Sequence, residues 1–219
     1  KDVAIKINKD ISWSLGINQS TAITCVKPSG TVSQLVDSAS GIHPRHSDYY
    51  VRTVRGDNKD PLTQFMIRSG VPYEPAVGNE TTMTVFSFPV KSPQGALTRE
   101  DLCAIEHLEL WKVYAEHWCE HKPSITVSVK EHEWLEVGAW VYNNFDYLSG
   151  VSFLPYSDHT YKQAPYTDCT KEQYNTLRKK MPSHMNWSEL AEYEKEDTTV
   201  GSQELACSGD VCEIVDIGA

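Results

Sequence analysis

The sequence predicts an α/β fold, and three features of its pattern support this. Two short apolar runs, residues 124–129 and 150–154, have the composition of strands. The segment between them, residues 131–144, has apolar side chains at helical spacing. A strand, a helix and a second strand in this order form the βαβ unit that is typical of α/β architectures.

Composition predicts one substantial core followed by a tail. The 219 residues are 40% hydrophobic, which is enough for one large domain. We place that domain at residues 1–195. Residues 196–219 have little to bury at their start and are predicted to form a flexible tail.

Charge and cysteine content exclude several classes of protein. There are 30 acidic and 20 basic side chains, giving a formal net charge of −10, whereas a nucleic-acid-binding surface requires a basic face. No apolar stretch reaches membrane-spanning length, and the first residues lack the apolar region of a signal peptide. Six cysteines are too few for a disulfide scaffold in a chain of this size. We therefore expect no nucleic-acid or membrane partner, and a cytoplasmic setting.

The first quarter of the chain is predicted to alternate between helix and strand. Residues 22–26 form a short β-branched run that predicts a strand, and residues 31–39 predict a helix that ends near Gly41. Residues 49–55 alternate weakly, as in an extended segment. Residues 1–18 are predicted to be helical, and the candidate buried side chains of that helix are Ile5, Ile7, Ile11 and Trp13.

The middle of the chain contains the clearest helix. Residues 62–68 predict a short helix and residues 82–88 a strand. Thr98, with Asp101 three residues later, then predicts the cap of a long helix. Its expected apolar face comprises Leu102, Ile105, Leu108, Trp111, Ala115 and Trp118.

The last third is predicted to contain two helices, a short strand and a polar loop. Trp134, Val137, Val141 and Phe145 mark the expected inner stripe of the helix at residues 131–144. After Pro155 comes a polar, tyrosine-rich loop. Further along, Thr170 and Gln173 predict a capping box at the start of a short helix. Residues 188–195 are predicted to form one more turn of helix.

The turn before the predicted helix at residues 31–39 is a candidate anion site. A helix start leaves several backbone N–H groups unpaired at the positive end of the helix dipole. A glycine lets a phosphate approach the backbone, and hydroxyl side chains add donors. An ordinary capped helix without a ligand is the alternative, since Ser and Thr are common N-cap residues. The candidate phosphate-binding residues are Ser29, Gly30, Thr31, Val32 and Ser33.

The loop at residues 41–47 is a candidate active-site loop. It carries His43 and Arg45, and an arginine can bind a phosphate or a carboxylate through two parallel N–H groups. His46 lies close by, but no further ligands stand at zinc spacing, so no metal site is predicted. A plain surface loop is the alternative.

Two cysteines close to the end of the chain are candidate redox residues. Cys207 and Cys212 are separated by four residues that include a glycine, so their Cβ atoms can approach to disulfide distance. Thiols on a flexible segment suit thiol–disulfide exchange, which requires an accessible thiolate. A static disulfide, two incidental cysteines and half of a metal site are the alternatives.

Six segments together resemble the adenosylcobalamin-dependent (class II) ribonucleotide reductases, and most closely the monomeric ribonucleoside-triphosphate reductase type. The resemblance runs in order along nearly the whole chain. The segments are KPSGTVS (27–33), SGIHPRHS (40–47), YYVR (49–52), GVSFLP (150–155), YKQAPY (161–166) and CSGDVC (207–212).

This resemblance implies a fold, a reaction and a set of roles. The fold would be the C-terminal part of a ten-stranded α/β barrel with a flexible C-terminal tail. The reaction would convert ribonucleotides into 2′-deoxyribonucleotides by a radical mechanism that adenosylcobalamin initiates. By position, residues 29–33 would hold the phosphates of a ribonucleoside triphosphate or diphosphate. Cys207 and Cys212 would relay electrons from thioredoxin to a disulfide in the barrel.

The chain also departs from the family pattern. It has no Asn-x-Cys-x-Glu segment, so we expect the radical cysteine and the barrel cysteine pair to lie in an N-terminal portion of the reductase. We therefore expect this chain alone to bind phosphate weakly and to perform no radical chemistry. The alternatives are a non-catalytic nucleotide-binding or assembly module, and a stand-alone thiol-redox protein.

Overall fold

The computed structural model describes residues 1–30, 32–156 and 162–195. It contains both helices and strands, as expected for the α/β class. In chain order they are α1 (Asp2–Leu15), α2 (Val32–Leu35), β1 (Tyr49–Asp57), α3 (Pro61–Arg68), β2 (Tyr73–Pro75), β3 (Met83–Lys91), α4 (Ala104–His117), β4 (Ile125–Val129), α5 (Trp134–Asn143), β5 (Val151–Pro155), β6 (Tyr166–Asp168), α6 (Lys171–Lys180) and α7 (Leu190–Tyr193), with 3₁₀ turns at Glu131–Glu133 and Trp187–Glu189.

The described residues form two compact units. The first comprises residues 1–49 and 91–156, and the second comprises residues 50–90 and 162–195. Each unit has its own sheet. The predicted boundary between a domain and a tail at residue 195 stays a prediction.

The first unit is built on the predicted βαβ unit. β4 and β5 pair in parallel, with Ile125 opposite Val151 and Val129 opposite Pro155, and α5 connects them. This pairing confirms the βαβ prediction. The core of the unit is formed by Ile42, Ala104, Leu108, Trp111, Ile125, Val127, Val129, Val137 and Trp140.

Two helices of the first unit differ in detail from their predictions. Thr98 and Asp101 form a separate turn, in which the Asp101 carboxylate accepts from the Thr98 N–H at 2.8 Å. α4 is instead capped by Cys103 and Glu106, which satisfy each other's backbone N–H groups. In α5, Val137 and Trp140 are buried, whereas Trp134 is exposed. The indole N–H of Trp140 donates to Glu109 on α4 at 2.6 Å.

The predicted strand at residues 22–26 is not a strand in the structure. The N–H groups of Ile23 and Thr24 donate to the Glu120 carboxylate at 3.0 and 3.3 Å. The Thr24 carbonyl accepts from the backbone N–H groups of Glu120 and His121. The segment is therefore held to the turn after α4, and none of the described strands pairs with it in a ladder.

α1 confirms the predicted helix but not its predicted inner face. Ile7, Ile11 and Trp13 are exposed, whereas Ser12 is the residue of this helix that is buried. The prediction of burial for these three side chains is wrong, because none of the described residues of the first unit covers them.

The second unit is built on a four-stranded sheet with the order β2-β3-β1-β6. β6 pairs antiparallel with β1, and Tyr50 lies opposite Asp168. Phe65 of α3 is buried and packs against Trp187 and Tyr193, at ring-centroid distances of 5.3 and 6.1 Å. α6 begins at the predicted capping box of Thr170 and Gln173. Among the described residues, no helix is long and apolar enough to cross a bilayer.

Candidate functional site

The candidate phosphate loop lies at a turn that leads into α2. Val32 donates from its N–H to the Ser29 carbonyl at 3.2 Å. Gly30 has a φ of 58°, and no atom lies within 4 Å of the place where a Cβ would stand. The backbone at Gly30 therefore faces open space, which a phosphate oxygen could approach. Thr31, another predicted member of the site, lies outside the described residues.

α2 is shorter than the helix predicted at residues 31–39. It ends at Leu35, because Asp37 has a φ of 49° and the Ser38 N–H bonds back to the Ser33 carbonyl at 2.9 Å. One helical turn has only a small dipole, so anion binding here would rest mainly on backbone N–H groups and hydroxyls. Val32 is exposed, whereas Ser33 is only 3% exposed.

A second segment supports the loop from one side. The Ser29 N–H donates to the Ser40 hydroxyl at 2.9 Å, and the two hydroxyl oxygens lie 3.4 Å apart. Gly41 follows with a φ of 61°, and a Cβ at this position would lie 2.7 Å from the Lys27 carbonyl oxygen. Only glycine allows the two segments to approach so closely.

His43 connects this support to the parallel sheet. Its Nδ1 lies 2.7 Å from the Ser40 carbonyl oxygen, and its Nε2 accepts from the Thr126 N–H of β4 at 2.9 Å. A carbonyl only accepts and an amide N–H only donates, so these partners assign the ring proton to Nδ1. His43 is thus a bridge between β4 and the segment that holds Ser29.

A second histidine lies directly behind the first. His107 of α4 is 5% exposed, and its ring centroid is 5.7 Å from that of His43 in an edge-on arrangement. Its Nε2 contacts the Ile42 carbonyl oxygen at 3.1 Å. Burial is the main cause that lowers the pKa of His107 to about 4. His107 is therefore neutral at neutral pH.

Arg45 binds the segment that follows α2. It is 5% exposed, and its Nη1 donates to the Ser38 carbonyl at 3.0 Å. Its Nη2 forms an ion pair with the Asp37 carboxylate. The N–H groups of Arg45 that were predicted to bind a phosphate or carboxylate therefore bind the Asp37 carboxylate and the Ser38 carbonyl of the same chain. A direct contact with a ligand stays a prediction.

Sequence reasoning missed the residues that support the loop. Ser40 and Thr126 are partners of His43, and Asp37 is the partner of Arg45. Glu120 orders the segment before the loop. These contacts join residues up to 97 positions apart, and no local pattern predicts such pairs.

The structure describes four of the six cysteines. Cys25, Cys103, Cys119 and Cys169 are free thiols. Burial raises the pKa values of Cys119 and Cys169, which disfavours their reactive thiolate forms. Cys207 and Cys212 lie outside the described residues. Within the described ranges, no group of three or more His, Cys, Asp or Glu side chains is placed to hold a metal ion.

Comparisons with known proteins identify several relatives of the chain. It is 31% identical to the adenosylcobalamin-dependent ribonucleoside-triphosphate reductase of Euglena gracilis, over 96% of this chain and 29% of the relative. It is 32% identical to a probable enzyme of the same name from Dictyostelium discoideum, over 78% of this chain and 23% of the relative. The Lactobacillus leichmannii reductase is 26% identical over 96% of this chain. No protein-family model matches the chain.

The fold also matches a solved structure. The crystal structure of a B12-dependent (class II) ribonucleotide reductase superposes with a TM-score of 0.71 and 24% identity, over 87% of this chain and 27% of that chain. This match confirms the predicted fold class. The chain spans less than a third of the length of the curated relatives cited above. It is therefore a homologue of part of the adenosylcobalamin-dependent (class II) ribonucleotide reductases and has their fold over the matched residues.

Proposed function

We propose that this chain contributes the substrate-phosphate loop and the thiol relay to a class II ribonucleotide reductase. The observation that carries the proposal is the match to the Euglena reductase over 96% of the chain. The substrate would be a ribonucleoside triphosphate or diphosphate, and the product its 2′-deoxy form. Adenosylcobalamin, when bound to the complete enzyme, would supply the radical that starts the reaction. The roles below concern this chain's own residues.

The loop at residues 29–33 is suited to hold the substrate phosphates. Gly30 is exposed, with open space beside its backbone. Lys27 is exposed two residues before Ser29 and adds a positive charge close to the loop. Asp37 would repel a phosphate, but its carboxylate is paired with Arg45. These features support anion binding at the turn.

His43 and Arg45 would act as positioning residues of this loop. His43 connects Ser40 to Thr126, and Ser40 accepts from the Ser29 N–H. Arg45 fixes the chain after α2 through Asp37 and Ser38. Both ends of the loop are thereby held before a ligand arrives, which lowers the entropic cost of binding.

Cys207 and Cys212 would form the thiol relay. In their reduced form they would transfer two electrons and two protons to a disulfide in the N-terminal portion of the reductase, and become a disulfide themselves. Thioredoxin or a similar dithiol would then reduce that disulfide. The sequence resemblance at residues 207–212 supports this role. A reducing cytoplasm is the compartment in which such a relay operates.

The test is a chimera in which this chain replaces the matching segment of the Euglena reductase. With adenosylcobalamin and a ribonucleoside triphosphate, the chimera should form deoxynucleotide in the presence of either thioredoxin or dithiothreitol. Cys207→Ser should abolish turnover driven by thioredoxin and preserve turnover driven by dithiothreitol, because the small dithiol reaches the barrel disulfide directly. Cys103→Ser is the matched control and should preserve both.

Two outcomes would contradict parts of the proposal. Equal loss of both activities in Cys207→Ser would exclude the relay role. A chimera that binds nucleotide, is unaffected by changes at Cys207 and Cys212, and forms no product would identify a non-catalytic nucleotide-binding module instead.

A further inference from the structure

The last turn of α6 carries three consecutive cationic side chains, Arg178, Lys179 and Lys180, and all three are exposed. Among the residues that the structure describes, none of the three forms an ion pair. Arg178 donates to the Tyr174 hydroxyl at 3.0 Å. We call Arg178, Lys179 and Lys180 the α6 cluster.

The helix dipole accounts for part of this arrangement. A cation in the last turn of a helix is stabilised by the partial negative charge there, and a single side chain gives that effect. Three consecutive cations repel one another, and an anionic partner beside them would relieve the repulsion. The described residues of the second unit contain ten basic and nine acidic side chains. This unit therefore lacks the acidic excess of the whole chain.

Most of that acidic excess lies in residues 196–219, the predicted tail. The tail has six acidic side chains and no basic one. Three of the six lie within three positions of a cysteine, and these are Glu204, Asp210 and Glu213. The tail therefore has the charge that complements the α6 cluster.

The tail is also long enough to reach the cluster. Tyr193 packs against the buried Phe65, so the described chain ends in the second unit, to which α6 also belongs. Cys207 follows residue 195 by twelve positions, and an extended segment of that length spans up to about 40 Å. A unit of about 75 residues has a radius of gyration of only about 11 Å.

We infer that the α6 cluster is a docking site for the tail of this chain, with the acidic side chains of residues 204–213 against its three cations. Because the tail is tethered to the same unit, its effective concentration at the cluster is on the order of millimolar, so weak ion pairs can hold it. The inference goes beyond the proposed relay, since it concerns where the tail rests and depends on charge alone. Cations close to a thiol favour its thiolate form, so docking would also favour exchange at Cys207 and Cys212.

Carbodiimide cross-linking of the full chain tests the docking, because it joins a lysine amine to a carboxylate where the two are in contact. Lys179 and Lys180 are the reporters. Lys171 is the internal control, because it is an exposed lysine in the first turn of the same helix. Peptide mass spectrometry quantifies the links at about 10 mM and about 1 M salt, where the Debye length is about 30 Å and about 3 Å. A mixture of unlabelled and isotope-labelled chains distinguishes links within one chain from links between two copies.

At low salt, the two reporters should give at least about fivefold more links to residues 204–213 than Lys171 gives, and high salt should remove the excess by screening. Arg178→Gln should reduce the reporter links at least about twofold, because it removes a cation but leaves both reporter amines and a side-chain donor for Tyr174. Lys6→Gln is the matched control, because Lys6 is exposed on α1 and its loss changes the net charge equally. It should leave the links unchanged.

Three outcomes would overturn the inference. The first is an equal yield at Lys171 and at the reporters in the parent chain at low salt, a comparison that requires no variant. The second is a yield that Arg178→Gln leaves unchanged. The third is a set of links that join a labelled to an unlabelled chain, since the occupant would then be a second copy.

The thiol relay and the docking site fail independently. Cys207→Ser should keep the tail links at the parent yield, because docking depends on charge. Tail links in a chimera that lacks turnover driven by thioredoxin would support the docking and contradict the relay. Turnover driven by thioredoxin without tail links would support the relay and contradict the docking.

Discussion

α1 and α4 are helices of 14 residues in the same unit. Apolar residues at helical spacing are buried in α4 and exposed in α1. Leu108 and Trp111 of α4 are fully buried against the parallel sheet. Ile7 and Ile11 of α1 also lie about one helical turn apart, yet more than half of each is exposed. Helical spacing of apolar residues therefore predicts that a helix has an apolar face, but it does not predict whether other residues of the chain bury that face.

The largest expected effect contrasts a core residue of α4 with an exposed apolar residue of α1. Leu108→Ala should lower the free energy of unfolding by about 2–5 kcal/mol, because it leaves a cavity among closely packed side chains. Ile11→Ala should change it by less than about 0.5 kcal/mol, as is usual for exposed positions. Urea denaturation of both variants measures the difference. Similar losses would show that α1 is covered within this chain.

The buried histidine of α4 should make stability depend on pH. The pKa of His107 in the folded protein is about 4, below the ordinary value of about 6.5 for an unfolded histidine. Between these values the unfolded state binds more protons, so stability is present above pH 6.5 and is lost as the pH falls towards 4. From pH 7 to pH 5, protonation of this histidine in the unfolded state should lower the free energy of unfolding by about 2 kcal/mol.

The measurement is urea denaturation at pH 7 and pH 5, with His107→Gln as the control. Glutamine keeps a side-chain N–H donor but does not titrate in this range. The variant should lose less stability than the parent between the two pH values. An equal loss in both proteins would exclude His107 as the source.

Two glycines with positive φ provide a further contrast. Gly41→Ala should lower the free energy of unfolding by more than about 2 kcal/mol, because a Cβ would lie 2.7 Å from the Lys27 carbonyl oxygen and the left-handed conformation adds about 1–2 kcal/mol. Gly16→Ala at the end of α1 carries only the conformational cost, since no atom lies within 4 Å of its Cβ position. Thermal unfolding of both variants compares them, and equal losses would contradict the proposed close packing.

The smallest expected effect concerns the cap of α4. Cys103→Ala should lower the free energy of unfolding by about 1 kcal/mol, because it removes the acceptor for the Glu106 N–H. Cys103→Ser should keep the cap or improve it, since serine is among the preferred N-cap residues. Urea denaturation distinguishes the two variants. A serine variant as unstable as the alanine variant would show that the cap contributes little.

The accuracy of prediction along this chain follows the range of the interactions involved. The capping box at Thr170 and the β4–α5–β5 unit depend on neighbours in sequence, and both were predicted. The strand predicted at residues 22–26 failed because Glu120, almost a hundred residues away, takes its N–H groups. The predicted helix at residues 31–39 ends early because Arg45 holds Asp37 and Ser38.

The sequence by itself determined the α/β class and the βαβ unit, because these depend on local spacing and on which residue types stand together. Only the tertiary structure decided that His43 joins Ser40 to β4, that Arg45 pairs with Asp37, and that Ile7 and Ile11 of α1 are exposed. Those outcomes depend on contacts between residues that are far apart in sequence and come together only when the chain folds. Local sequence patterns carry no information about such long-range contacts.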